Sequence, residues 1–175
     1  MFIGLLGLAF LVVSCDLHPI YLNRSGSATN DSVNRNIAQI KVMPISDRSG
    51  QLLRNRLEDR VSAARAQMSD DPESLDLGYG LTVSVSTSAV NQGEQINASS
   101  TYGIVSYTVK MTLVDLELQK ELFKSSFLVQ RSFSLPRDGF AELTAVNDAH
   151  RLSMIEISQT IMDRLQVYFD QLPPK

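Results

Sequence analysis

The sequence is poor in the residues that chemistry most often needs. Among its 175 residues are one cysteine and two histidines. With one cysteine no intramolecular disulfide exists, and there is neither a CxxC pair nor a Cys/His zinc pattern. A triad or a metal site would have to draw on His18 or His150. No glycine-rich phosphate loop is present. The acids are scattered, often beside Arg or Lys, and no pair stands out as a general acid and base. Charge of one sign is lacking too: the net charge is −3, so bulk electrostatics exerts no pull toward nucleic acid or anionic membranes, and anion binding must be local. These absences lead to the expectation of a binding or scaffolding protein, not an enzyme, with no cofactor, no metal and no nucleic-acid partner.

Hydrophobic residues make up 43% and charged residues 20%, the proportions of a globular chain rather than a disordered or multi-span one. The longest apolar run is residues 1–14, MFIGLLGLAFLVVS, which carries no charge. It falls short of the ~20 residues that cross a bilayer as a helix. A short apolar run ending in small residues suits a signal-peptide core. The next residue is the lone cysteine, and Leu11-Val12-Val13-Ser14-Cys15 resembles a lipobox, in which cleavage before the cysteine precedes acylation of its thiol. Ser14 is small as required, Val13 is bulkier than usual, and no Lys or Arg precedes the run. The competing reading is a buried helix ending at an inert core thiol; an all-apolar segment at the chain start, ending at the only cysteine, favours lipid attachment at Cys15.

Residues 15–36 include RSGSATNDSVNRN and show no apolar periodicity, so they are expected to form a lipidated N-terminus and flexible tether. One domain is then expected over 37–175. Residues 37–45 (IAQIKVMPI) have strand character, closed by Pro44 and a polar turn. From Gln51 the period becomes helical, with Leu53, Leu57, Val61, Ala64 and Met68 on one side, until Asp70-Asp71-Pro72. Three alternating segments follow. Leu81, Val83 and Val85 oppose Thr82, Ser84 and Ser86. Beyond a polar loop at 93–100, Val105, Tyr107, Val109, Met111 and Leu113 oppose Ser106, Thr108, Lys110 and Thr112. After a polar connection at 115–121 come Phe123, Phe127, Val129 and Phe133. A long helical stripe closes the chain: Met154, Ile157, Ile161, Leu165, Tyr168 and Leu172. The predicted architecture is α+β: a two-layer sandwich with a four-stranded, mostly antiparallel sheet and two helices on one face, in the order β-α-β-β-β-α.

Two surfaces are candidates for recognition. Arg48, Arg54, Arg56, Arg60 and Arg65 outnumber Asp47, Glu58 and Asp59 around the first predicted helix. Guanidinium forks suit phosphate oxygens, so this segment is a candidate contact for an anionic lipid or a partner. The alternative is a solvated helix face carrying i,i+4 pairs such as Arg54–Glu58. The second is the outer sheet face, with Ser84, Ser86, Thr108, Thr112, Ser126, Gln130 and Ser132. Short polar groups there suit a polar wall at little entropic cost, or simply water. His150, beside Asp148 and Arg151, is expected to be a solvated helix histidine.

Cys15-Asp16-Leu17-His18-Pro19-Ile20-Tyr21 resembles the C-G-[FL]-x-P-[LI]-Y opening of the alphaproteobacterial form of LptE, the LPS-assembly lipoprotein family. Asp16 departs from it, standing where the family usually has glycine. A second stretch, IAQIKVMPISDRSGQLLRNRLEDRV, resembles that group's I-x-x-I-x-[DS]-R-x-G-Q-x-L-R-N-x-L stretch, at Ile40, Ile45, Asp47, Arg48, Gly50, Gln51, Leu53, Arg54, Asn55 and Leu57. The element order also fits. The resemblance implies an outer-membrane lipoprotein on the periplasmic face that assembles with and plugs the LptD β-barrel, through which lipopolysaccharide reaches the surface, without catalysis or cofactor. Asp16 raises the inner membrane as another destination, since in enteric bacteria an aspartate after the lipidated cysteine tends to retain lipoproteins there. An auxiliary lipoprotein of another ABC-type envelope lipid-transport system is the alternative function.

Overall fold

Alternation in the middle of the chain builds the centre of the sheet. The computed structural model describes residues 28–68, 76–92, 102–134 and 139–172. Its elements are α1 (Ala28–Ala38), β1 (Ile40–Val42), α2 (Arg48–Met68), β2 (Tyr79–Gln92), β3 (Tyr102–Asp115), β4 (Lys120–Ser134) and α3 (Gly139–Asp170). In β3 every second side chain from Val105 to Leu113 is buried. β3 lies between β2 and β4, antiparallel to both, with Val109 opposite Val85 and Phe127. At ~3.4 Å per residue these strands of 14 or 15 residues extend nearly 50 Å. The turn after β3 is closed by Asp115, whose Oδ1 accepts the backbone N–H groups of Glu117 and Leu118 at 2.9 Å each. The register then shifts by one residue at Leu113/Val114, a bulge that bends β4.

β1 pairs with β2 in parallel, so the strand order is β1-β2-β3-β4 and α2 is the crossover between the first two. The expected strand at 37–45 is only three residues long, because α1 occupies the residues before it and Pro44 those after it. Asp47 enters α2 with φ of 71°, a left-handed conformation that aspartate tolerates. Gly50 packs beneath Ile45: a Cβ there would lie 2.6 Å from Ile45 Cγ2. Leu53, Leu57 and Val61 carry the buried stripe of α2.

α3 runs along the sheet on the same face. Ile157, Ile161 and Leu165 are fully buried, and near its C-terminus Tyr168 stacks on Phe123 with ring centroids 4.9 Å apart. Ser153 and Ser158 are buried in this interface, and each hydroxyl donates to an α3 carbonyl, Ala149 and Ile155, at 2.8 Å. The predicted two-layer α+β architecture is the one observed, with one helix more than expected. The helical cover is uneven. On the inner face of β2, Leu81 and Val83 are buried and Val85 is half-buried, but Thr87 and Ala89 are exposed, whereas Val105, opposite Ala89, is buried.

The added helix corrects the expected tether. Residues 28–36 belong to α1, which buries Val33, Ile37 and Ala38 in the common core. Their Ser and Asn content hid a single i,i+4 apolar pair, enough to dock a helix against α2 and α3 but not to show periodicity. Arg65 of α2 secures its end: Nε donates to Ala38 O at 2.7 Å and Nη2 to Ile40 O at 2.6 Å. The expected signal segment, Cys15, the rest of the tether and the loop at 93–100 lie outside the described residues.

Candidate functional site

Among the described residues the outer sheet face is open to solvent, since α1, α2 and α3 pack on the other side. The seven residues assigned to it from the sequence all point outward. Ser84 faces Lys110 and Lys110 faces Ser126; Ser86 faces Thr108; Ser106 faces Gln130. All seven are exposed except Thr112, which is half-buried. Gln130 Nε2 donates to Ser106 Oγ at 3.0 Å, so neighbouring strands are also joined through side chains. Two kinds of residue interrupt this polar band. Lys110 and Lys124 set cations on either side of Thr112, and Leu128 and Val90 are apolar and more than half exposed. Alternation alone shows these positions, but it does not show on which face the described helices pack.

The five arginines do not form one surface. Arg48 is exposed at the start of α2. Arg60 reaches α3, where Nη2 donates to Gln159 Oε1. Arg65 is committed to the α1 and β1 carbonyls. Arg54 pairs with Glu58 at 2.7 Å, the i,i+4 pair expected from the sequence. The Nε atoms of Arg54 and Arg56 are buried without a hydrogen-bond partner. Arg54 and Arg65 line a common hollow. It is a groove of about 250 Å³ between α2 and β1, to which Lys41, Glu58, Ser62 and Leu77 also contribute. Lys41 could not be assigned to it from the sequence, because strand and helix meet there only in three dimensions.

His150 is not the solvated residue expected. Its Nδ1 shares a hydrogen bond with the hydroxyl of Tyr107, which is fully buried. Burial pushes the Tyr107 phenol up to about 12; the Ser153 hydroxyl and the charge of Arg131 oppose this. Arg131, on the inner side of the edge strand β4, pairs with Glu156 of α3 at 2.7 Å. Arg164 bonds Ser125 Oγ and lies over the Phe127 ring, 4.7 Å from its centroid. These polar contacts fasten α3 to β3 and β4.

No family model matches the sequence, and no curated protein matches it. Solved structures do. A protein from Caulobacter crescentus described as a lipoprotein superposes with a TM-score of 0.59 at 20% identity, over 80% of this chain and 97% of its own. Rare lipoprotein B from Shewanella oneidensis gives 0.51 at 14% identity, over 72% and 92%. A minor lipoprotein from Acinetobacter baumannii gives 0.50 at 14% identity, over 73% and 88%. At these identities the likeness establishes the fold.

Among the described residues no helix is long and apolar enough to cross a membrane, and no three His, Cys, Asp or Glu side chains are grouped to hold a metal ion. Among the described residues the surfaces on offer are thus a long, hydroxyl-rich sheet face and a small hollow between α2 and β1. The first suits an extended polar wall.

Proposed function

We propose that this chain is a non-catalytic envelope lipoprotein, anchored through Cys15, that assembles with an outer-membrane β-barrel of the LptD kind and plugs it for lipopolysaccharide transport. The carrying observation is the outer sheet face: three long strands present Ser84, Ser86, Thr108, Ser126, Gln130 and Ser132 outward, with no helix over them among the described residues. A plug in a water-filled lumen needs such a surface, polar and low in side-chain entropy, backed by a rigid core. The N-terminal lipobox-like sequence and the fold shared with proteins described as lipoproteins support the anchor. The resemblance in the opening heptapeptide and the Asp47–Leu57 stretch supports the barrel as partner. We place the protein at the outer membrane in spite of Asp16, because a specific barrel partner outweighs a sorting signal that differs between bacterial groups.

The test is a pull-down from solubilised membranes using a C-terminal tag, with a sucrose gradient run in parallel. A large outer-membrane barrel co-purifying with the protein is the expected result. Recovery of an inner-membrane ATPase complex, with the protein in inner-membrane fractions, would replace this reading by that of an auxiliary lipoprotein of another lipid-transport system.

A further inference from the structure

We infer that the free edge of β2 is a strand-addition site, and that its occupant is the same edge of a second copy of this chain, added antiparallel about a two-fold axis. The inference goes beyond the barrel reading and does not depend on it, since a strand added at the edge widens the sheet and leaves its outer face uncovered.

The edge exists because β1 is short. Backbone groups of alternate residues point to alternate sides of a strand. The Tyr79 N–H and the Leu81 carbonyl serve the β1 side, where they meet the Gln39 carbonyl at 3.2 Å and the Met43 N–H at 2.9 Å. The backbone groups of Val83, Val85, Thr87 and Ala89 therefore point the same way, while those of Thr82, Ser84, Ser86 and Ser88 face β3. Pairing with β1 stops at Leu81, and Pro44 has no N–H with which to extend it. Among the described residues no strand pairs with β2 on this side from Val83 to Gln92. That is an open edge of roughly 30 Å.

The two edges of the sheet are unlike. β4 is guarded against a further strand: Lys120, Glu121 and Lys124 are exposed charges, Arg131 points inward to Glu156, and Arg164 of α3 donates to the edge carbonyl of Ser126 at 3.4 Å. β2 has none of these devices. Its sequence, YGLTVSVSTSAVNQ, holds no charge and no proline, and it is rich in residues that favour strands. Its far half is also bare on the inner face, where Thr87 and Ala89 are exposed although Val105, opposite Ala89, is buried. A long, neutral, unguarded edge is a template for an extended strand. Charge and symmetry select a second copy. Two β4 edges would bring Lys120 and Lys124 toward their own kind, whereas two β2 edges meet with no charge on either, and a net charge of only −3 opposes the approach little. The pairing is self-complementary: Val85, Thr87 and Ala89 of each copy supply the donors and acceptors that the other copy lacks.

The experiment is sedimentation velocity on the full chain in a density-matched non-ionic detergent, over a wide range of protein concentration, with amide exchange followed in parallel. Thr87→Pro removes an edge N–H without touching the ladder between β2 and β3. Thr87→Lys keeps the backbone intact and sets a like charge on each copy, so it decides the matter even if the proline variant folds poorly. Leu128→Pro makes the same change at the β4 edge and is the control; thermal melts verify folding. A monomer–dimer equilibrium is expected, weakened at least about tenfold by both Thr87 variants and unchanged by Leu128→Pro, with exchange at Val85 and Thr87 slowing as concentration rises. A dimer that survives both Thr87 variants, or that Leu128→Pro abolishes, overturns the inference. A monomer at every concentration overturns it too: fast exchange at Val85 and Thr87 then leaves the edge to a strand of another protein, and slow exchange places a segment of the same chain on it.

Discussion

Tyr107 of β3 and His150 of α3 meet through the phenol oxygen and Nδ1, their rings edge-on with centroids 5.7 Å apart. The bond joins sheet and helix at the edge of the core, and the burial of its phenol gives the fold a pH dependence of definite sign. Burial raises the Tyr107 phenol to about 12, above its ordinary 10.0. Between these values the unfolded chain has lost a proton that the folded chain keeps, so stability falls as pH rises, by up to about 1.4 kcal/mol per unit. Below the ordinary value the contribution is fully present. Thermal melts from neutral pH to about 12 should show an alkaline decline that Tyr107→Phe makes shallower. Tyr79 and Tyr168, also raised by burial, leave a smaller decline of the same sign. An unchanged alkaline limb in Tyr107→Phe would refute the assignment.

Gly50→Ala should destabilise the protein, although alanine is favoured in a helix interior by about 1 kcal/mol. The new methyl would lie 2.6 Å from Ile45 Cγ2 and 3.2 Å from the Ile45 backbone carbon, and a β-branched side chain beside backbone has little room to yield. Overpacking of this kind costs about 1–3 kcal/mol. Chemical denaturation of the two proteins gives the sign, and a more stable variant would contradict the packing described.

Thr112→Arg and Val109→Asp separate surface from core on the same strand. Val109 is fully buried, and an unpaired carboxylate there should cost about 4 kcal/mol or more and unfold the domain. Thr112 faces outward between strands, so Thr112→Arg should retain the wild-type melt while losing co-purification with the barrel. Wild-type recovery of the barrel by Thr112→Arg, Ser84→Arg and Gln130→Arg would remove the outer face as the interface and shift attention to the arginines of α2.

Cys15→Ser should leave the N-terminal segment uncleaved and the chain without lipid, because no second thiol exists. Intact mass spectrometry of the membrane-extracted protein decides this: an unmodified Cys15 in the wild type, or an N-terminus elsewhere, refutes the anchor.

The sheet was legible in the sequence because a two-residue period needs only a short window and one buried face. The inward positions of β3 from Val105 to Leu113 and of β4 from Phe123 to Phe133 are as expected. α1 was not legible. Val33 and Ile37 acquire their weight from contact with α2 and α3, and a window over ATNDSVNRN reads as linker. The same limit governs the candidate site. Alternation showed which residues share the outer face, but the sorting of five arginines into α3, α1, Glu58 and the groove depends on what lies beside each turn of α2. His150 looked solvated next to Asp148 and Arg151 because its partner, Tyr107, lies 43 residues away.

The uneven cover of the sheet also bears on how the molecule yields. Near Leu81 and Val83 the inner face is sealed, while at Thr87 and Ala89 it is bare. Fewer buried contacts mean a smaller free energy of local opening, so amide exchange should be fastest at that end of the ribbon. A ligand that binds only the closed form of this end stabilises it in proportion to the logarithm of its concentration over its dissociation constant. The stretch of β2 near Thr87 is thus expected to act as a loose-ended spring that a bound partner would tighten.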